Sequence, residues 1–108
     1  MMNKTHYTYI LASKRRGALF VGTTADLVAS VSEHKGNLVD GLTSLYAIHL
    51  LVYYEVFTAA GPALVRQAEL RMLHRRLKLH LIEQLNPDWH DLHENTASEH
   101  ARLDKLSV

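Results

Sequence analysis

The chain has 108 residues, enough for one domain with a modest core. Its 47% apolar content argues against a disordered body, and no apolar run approaches the roughly 18 residues of a membrane span; the absence of cysteine excludes disulfides and thiolate metal sites. The formal net charge of +1 is unevenly spread: residues 1–86 carry 10 Lys/Arg against 6 Asp/Glu, and residues 87–108 carry 2 against 5.

The first residues, Met-Met-Asn-Lys-Thr-His-Tyr, have no apolar segment of the signal-peptide kind. With no cysteine and no span, this suits a cytoplasmic bacterial protein. Residues 6–12 and 18–23 are apolar and rich in β-branched and aromatic side chains. They flank a Gly-containing basic turn, Ser13-Lys14-Arg15-Arg16-Gly17, which predicts a hairpin. Alternation puts Tyr7, Tyr9 and Leu11 on one face and His6, Thr8, Ile10 and Ala12 on the other. Thr23, three residues before Asp26, predicts a helix start: the hydroxyl can accept from an early N–H and the carboxylate can reach back. The helix is expected over about Thr24–Lys35, packing Leu27, Val31 and His34, and stopping at Gly36.

Residues 36–47 read as a long loop. Residues 48–56, almost continuously apolar, predict a third, central strand. Gly61-Pro62 opens a second helix to about Leu73, with Leu64, Ala68 and Met72 at one-turn spacing. A third helix runs over about Arg75–Leu85, with Leu77, Leu81 and Leu85 in register. Asn86-Pro87 ends it, and Trp89 and Leu92 are placed to pin the following segment to the core. The expected organisation is a domain over residues 1–94 and a tail over 95–108, either a short helix or frayed. The fold class is α/β, a small three-stranded antiparallel sheet flanked by helices.

Several of these residues form an ordered series: Thr8-Tyr9-Ile10, Phe20-Val21-Gly22, Asp26-Leu27, Glu33-His34, Val39-Asp40-Gly41, Val52-Tyr53-Tyr54-Glu55, Leu79 to Glu83, and Asn86-Pro87-Asp88-Trp89 with Asp91-Leu92. The series resembles the GIY-YIG nuclease signature over residues 6 to 94. The likeness is closest to the small stand-alone bacterial proteins of that family. It implies a GIY-YIG-like fold and, for an active member, metal-dependent phosphodiester cleavage in DNA. The family uses two strand tyrosines, an arginine and a nearby histidine or tyrosine, and a metal-holding glutamate on a later helix.

Carried over residue by residue, Tyr9 takes the first tyrosine position, and its phenol can exchange a proton with attacking water. The bland alternative is a core aromatic. Phe20 takes the second tyrosine position without the hydroxyl. Ser30 stands where the family places its arginine, so one neutral hydroxyl replaces five guanidinium donors and a fixed charge. Gln67 stands at the metal-holding glutamate. An amide brings no negative charge, so affinity for Mg²⁺ or Mn²⁺ is expected to fall steeply. His34 is retained, as a proton-transfer group or as a helix-end histidine bonded to a carbonyl. Asn86 is retained too, near the site or holding a helix C-terminus through its amide.

Lys14, Arg15, Arg16, Arg66, Arg71, Arg75, Arg76 and Lys78 are candidates for phosphate contacts; a solvated helix face is the alternative. His90 and His93 with Asp91 and Glu94 are too weak a pattern for zinc. Three functions are compatible with this reading. The chain is a GIY-YIG-type nuclease domain, or a relative with little or no cleavage that binds DNA or a protein partner. In the third, Arg71 or Arg66 replaces the lost cation and Glu33 or Glu55 supplies a carboxylate.

Overall fold

The computed structural model describes residues 5–35 and 47–93. The loop expected before residue 47 and the tail beyond residue 93 lie outside the described residues. Three strands, β1 (His6–Ala12), β2 (Leu19–Thr24) and β3 (Leu50–Phe57), form one antiparallel sheet in the order β2-β1-β3. Three helices accompany it: α1 (Leu27–Lys35), α2 (Ala60–Met72) and α3 (Arg75–Leu85). No helix among the described residues is long and apolar enough to cross a membrane.

The expected alternation along β1 divides the core in two. Tyr9 and Leu11 pack with Leu27 and Val31 of α1, Ile48 and Leu51 on one face. Ile10 and Ala12 pack with Leu70 of α2, Ile82 of α3 and Trp89 on the other. Thr8 is fully buried on this second face. Its hydroxyl donates to the Ala63 carbonyl of α2 at 2.7 Å, so the burial leaves no orphan polar group.

β3 is an edge strand, not the expected central one; β1 is central. Its apolarity reflects cover on both faces by the two packing layers, not a strand on each side. A bulge opposite Ile10 and Leu11 leaves Val52 as the extra residue. That slip turns both Val52 and Tyr53 toward the α2–α3 side, while Leu51 and Tyr54 face α1. The open edge is covered by side chains: Asn86 donates to the Val52 carbonyl at 3.1 Å, and Asp91 accepts from the Leu51 N–H at 3.2 Å. The β2 edge is met by Arg71, whose guanidinium donates to the Val21 carbonyl at 2.9 and 3.2 Å. Both edges are thereby blunted against pairing with another chain.

The helices also correct the expected stripes. α1 starts at Leu27, with Asp26 accepting from the Ala29 N–H at 3.1 Å as an N-cap does, and Thr24 rather than Thr23 accepting from Asp26 N–H. Leu27, Val31 and His34 are buried as expected. In α2 the buried residues are Ala63 and Leu70, whereas Leu64 and Met72 are 52% and 86% exposed. Small Ala63 allows the close approach that the Thr8 bond needs, and Leu64 lies about 100° around the helix from it. In α3, Ile82 is buried while Leu77 and Leu85 face solvent. Asn86 sets this rotation: it is buried one turn beyond Ile82, with its amide fixed on β3. Trp89 is buried and Leu92 packs against the α1-side core, as the sequence predicts.

Candidate functional site

Cross-strand pairing sets Tyr9 opposite Gly22. A Cβ at Gly22 would lie 2.7 Å from the Tyr9 hydroxyl oxygen and 2.9 Å from the Phe20 ring. The glycine is required because the tyrosine ring crosses the β2 backbone there. Ser30 and His34, one helical turn apart on α1, approach the same phenol. His34 Nε2 lies 3.4 Å from the Tyr9 hydroxyl, a long hydrogen bond, and the Ser30 side chain acts on the same phenol. The Phe20 ring stacks obliquely on His34, with centroids 5.2 Å apart. Tyr9, Phe20, Ser30 and His34 therefore form one contact set, as their matched positions imply.

The set is electrically neutral. Burial pushes the Tyr9 phenol above its ordinary value; the Ser30 hydroxyl and the Arg71 charge pull it back, and Glu33 pushes it further up. Burial also lowers the His34 imidazole below its ordinary 6.5, with Glu33 opposing and His49 assisting. At neutral pH the pair is a phenol and an uncharged imidazole. It can relay a proton, but it offers no fixed cation to a phosphate oxygen.

Asn86 is engaged elsewhere. It is 4% exposed and forms the C-cap of α3. Its amide donates to the Val52 and His90 carbonyls, and its oxygen accepts from the His90 N–H at 2.9 Å. Gln67 lies on α2, the helix that covers the other sheet face; no hydrogen bond joins it to the Tyr9 set among the described residues. It stands one turn before Arg71, whose bond to Val21 brings α2 round the β2 edge.

No family model matches the chain. The UPF0213 protein of Staphylococcus haemolyticus is 30% identical over 79 residues, covering 73% of this chain and 95% of that protein. The chain belongs to the UPF0213 family. A UPF0213 protein of Staphylococcus saprophyticus is 32% identical over the same length. The solution NMR structure of a UPF0213 protein of Bacillus halodurans covers 81% of this chain and 92% of its own, with a TM-score of 0.50 and 23% identity. At that identity it supports the fold alone.

In this UPF0213 chain most of the candidate phosphate contacts are tied internally. Arg16 makes a bidentate pair with Glu83 at 2.8 and 2.9 Å. Arg66 binds Glu55 and Glu69, and Glu55 also accepts from the Tyr53 hydroxyl. Arg75 donates to the Arg16 and Gly17 carbonyls, and Lys78 reaches the Arg71 carbonyl at 3.5 Å. Lys14, Arg15 and Arg76 are exposed, with no side-chain hydrogen bond or ion pair among the described residues. Asp91 and His93 serve the packing of the C-terminal segment: Lys35 bonds Asp91, and His93 Nε2 lies 3.2 Å from the Ser32 hydroxyl.

Sequence reasoning missed Glu83, which anchors both Arg16 and the Trp89 indole. No local pattern marks a partner 67 residues away. It also allowed Arg66 and Glu55 as stand-ins for the lost site charges. They face the side of β1 opposite Tyr9 and neutralise each other, the guanidinium drawing the carboxyl below its ordinary value against the effect of burial.

The same shifts predict how stability depends on pH. His34, Glu55 and Glu83 all have lowered folded values, Glu83 falling to about 2 chiefly through its bond to Arg16. Where the unfolded chain binds more protons, stability rises with pH. The full contribution is present above 6.5 for His34 and above 4.5 for the two glutamates. Thermal melts should therefore show the midpoint falling first as pH drops below about 6.5, then again below about 4.5 toward 2. His34→Gln should remove only the first fall; its persistence would contradict the buried neutral imidazole.

Proposed function

We propose that this UPF0213 chain is a nucleic-acid-binding relative of the GIY-YIG nucleases that cuts phosphodiester backbones weakly or not at all. The ordered motif series supports the kinship. The observation that carries the reading is the neutral contact set: a phenol 3.4 Å from an imidazole, with the Ser30 hydroxyl in the arginine position. Mg²⁺ or Mn²⁺, which the kinship implies, does not fit these donors. Phenol, hydroxyl and imidazole, with an amide at Gln67, supply no anion, and a hard dication is ordinarily held by carboxylate.

One observation favours a compensated nuclease as the second reading. The charges of Arg71 and Glu33 both act on the Tyr9 phenol. Arg71, however, is already fastened to the Val21 carbonyl, and Glu33 is exposed. A protein-binding module lacks comparable support, since among the described residues the unpaired cations gather on one turn and one helix end.

The test combines a nicking assay on supercoiled DNA, with Mg²⁺ and Mn²⁺, and a binding titration. The expected result is binding without appreciable turnover. Robust metal-dependent cutting by the wild-type protein would overturn the reading. Cutting that Arg71→Ala or Glu33→Gln abolishes would establish the compensated nuclease instead.

A further inference from the structure

We propose that the β1–β2 turn and the start of α3 form one prearranged phosphate-backbone site, in which Lys14, Arg15 and Arg76 touch the nucleic acid while Arg16, Arg75 and Glu83 hold them in place. The proposal rests on the nucleic-acid-binding reading and adds where and how the backbone is gripped.

The turn is built tightly. Ser13 N–H donates to the Ala18 carbonyl, and the Ser13 hydroxyl accepts from the Ala18 N–H, both at 2.9 Å. A Cβ at Gly17 would lie 2.3 Å from the Ser13 hydroxyl oxygen. Arg16 has φ of 55°, the left-handed region that a non-glycine residue enters at a cost. Three ties offset that cost. The Arg16 guanidinium forks onto Glu83, its carbonyl accepts from Arg75 at 2.6 Å, and Glu83 is itself held by the Trp89 indole at 2.7 Å. A basic turn that merely kept the protein soluble would need none of them.

Charge is the second, independent observation. The turn contributes Lys14, Arg15 and Arg16, and the first turn of α3 contributes Arg75, Arg76 and Lys78. Among the described residues, Glu83 is the acid bonded to this group. Cations at a helix N-terminus oppose the helix dipole, and α3 has no acidic residue in its first turn. Lys78 shows the crowding: its ammonium is held below the ordinary lysine value by burial and by neighbouring Arg75. Folding alone disfavours this arrangement, whereas a polyanion would relieve it. Each phosphate neutralised also releases counterions.

A phosphodiester backbone fits better than an anionic membrane. No apolar side chain stands between Ser13 and Gly17 to enter a bilayer. Among the described residues no hydrogen bond or ion pair holds the Arg15 or Arg76 side chain, while Glu83 holds Arg16.

Fluorescence anisotropy with a labelled duplex DNA, titrated across a salt series, tests this. Lys14→Ala/Arg15→Ala should weaken binding about tenfold and lower the salt slope by about two. Glu83→Gln should unfasten Arg16, loosen the turn and weaken binding severalfold in a variant whose circular dichroism spectrum matches the wild type, although it removes a negative charge. Charge alone would give the opposite sign. Glu69→Gln changes the net charge equally but lies away from the turn, and should leave both quantities unchanged. Wild-type binding that the Lys14/Arg15 substitution does not alter would overturn this site and leave the general reading standing. Equal tightening by Glu83→Gln and Glu69→Gln would also overturn the site. Failure of the wild type to bind, or binding only to phosphatidylserine vesicles, would overturn both.

Discussion

Asn86→Ala is expected to destabilise the fold by about 2–4 kcal/mol, or roughly 10–25 °C in thermal midpoint for a domain of this size. The truncation strips two amide donations and one acceptance, and leaves the buried Val52 carbonyl and the His90 backbone groups without these partners. The residue also ends α3, its N–H donating to the Ile82 carbonyl at 2.8 Å. Losing its amide frees the helix end, the β3 edge and the turn that carries Trp89 together. Asn86→Asp should be nearly as damaging, because the carboxylate keeps the acceptor but cannot donate to Val52, and adds charge at a 4% exposed position. Thermal denaturation monitored by circular dichroism reads both. A purely chemical role for Asn86 would leave the midpoint within a degree or two of wild type.

Asn86 also shows what the sequence could and could not disclose. Its position after an apolar helix and before Pro87 marks a helix end, and that reading was available. Its grip on the Val52 carbonyl spans 34 residues, and no periodicity records such a contact. The hairpin and α1 were legible for the opposite reason. Their signals are local: alternation over β1, a glycine-bearing turn, and an apolar stripe ending at His34. The clustering of Tyr9, Phe20, Ser30 and His34 was implied by the family resemblance; strand pairing and one-turn helix spacing are what bring them together.

The misread elements share a cause. Leu64, Ala68 and Met72 make as good a one-turn stripe as Ala63, Gln67 and Leu70. Only the sheet beneath α2, with Thr8 bonding to Ala63, selects between them. The result leaves Leu64, Val65 and Met72 on the outside of α2. β3 misled in the same way: apolar residues on both faces report cover above and below, which an edge strand between two helical layers also has. The basic residues were countable from the sequence, but which are free was not. Five of the eight candidates are tied by Glu83, Glu55 or backbone carbonyls, four of them across 11 or more residues.

The strongest gain of function should come from Ser30→Arg combined with Gln67→Glu. Position 30 adjoins the Tyr9 phenol, so a guanidinium there would supply the missing fixed cation to a phosphate lodged beside that phenol. Position 67 would restore the anion that a divalent ion requires, one turn before Arg71 at the β2 edge. Restoring a single transition-state donor is worth ~10²–10³ in rate by analogy with the cost of losing one. The two changes should be far from additive, since a cation without an ion, or an ion without a clamp, leaves the leaving oxygen unsupported. Nicking of supercoiled DNA with Mg²⁺ or Mn²⁺ should therefore rise by orders of magnitude in the double variant and hardly at all in either single one. Tyr9→Phe in that background should abolish the gain. A folded double variant that still binds DNA yet does not cut would mean that charge is not what this pocket lacks.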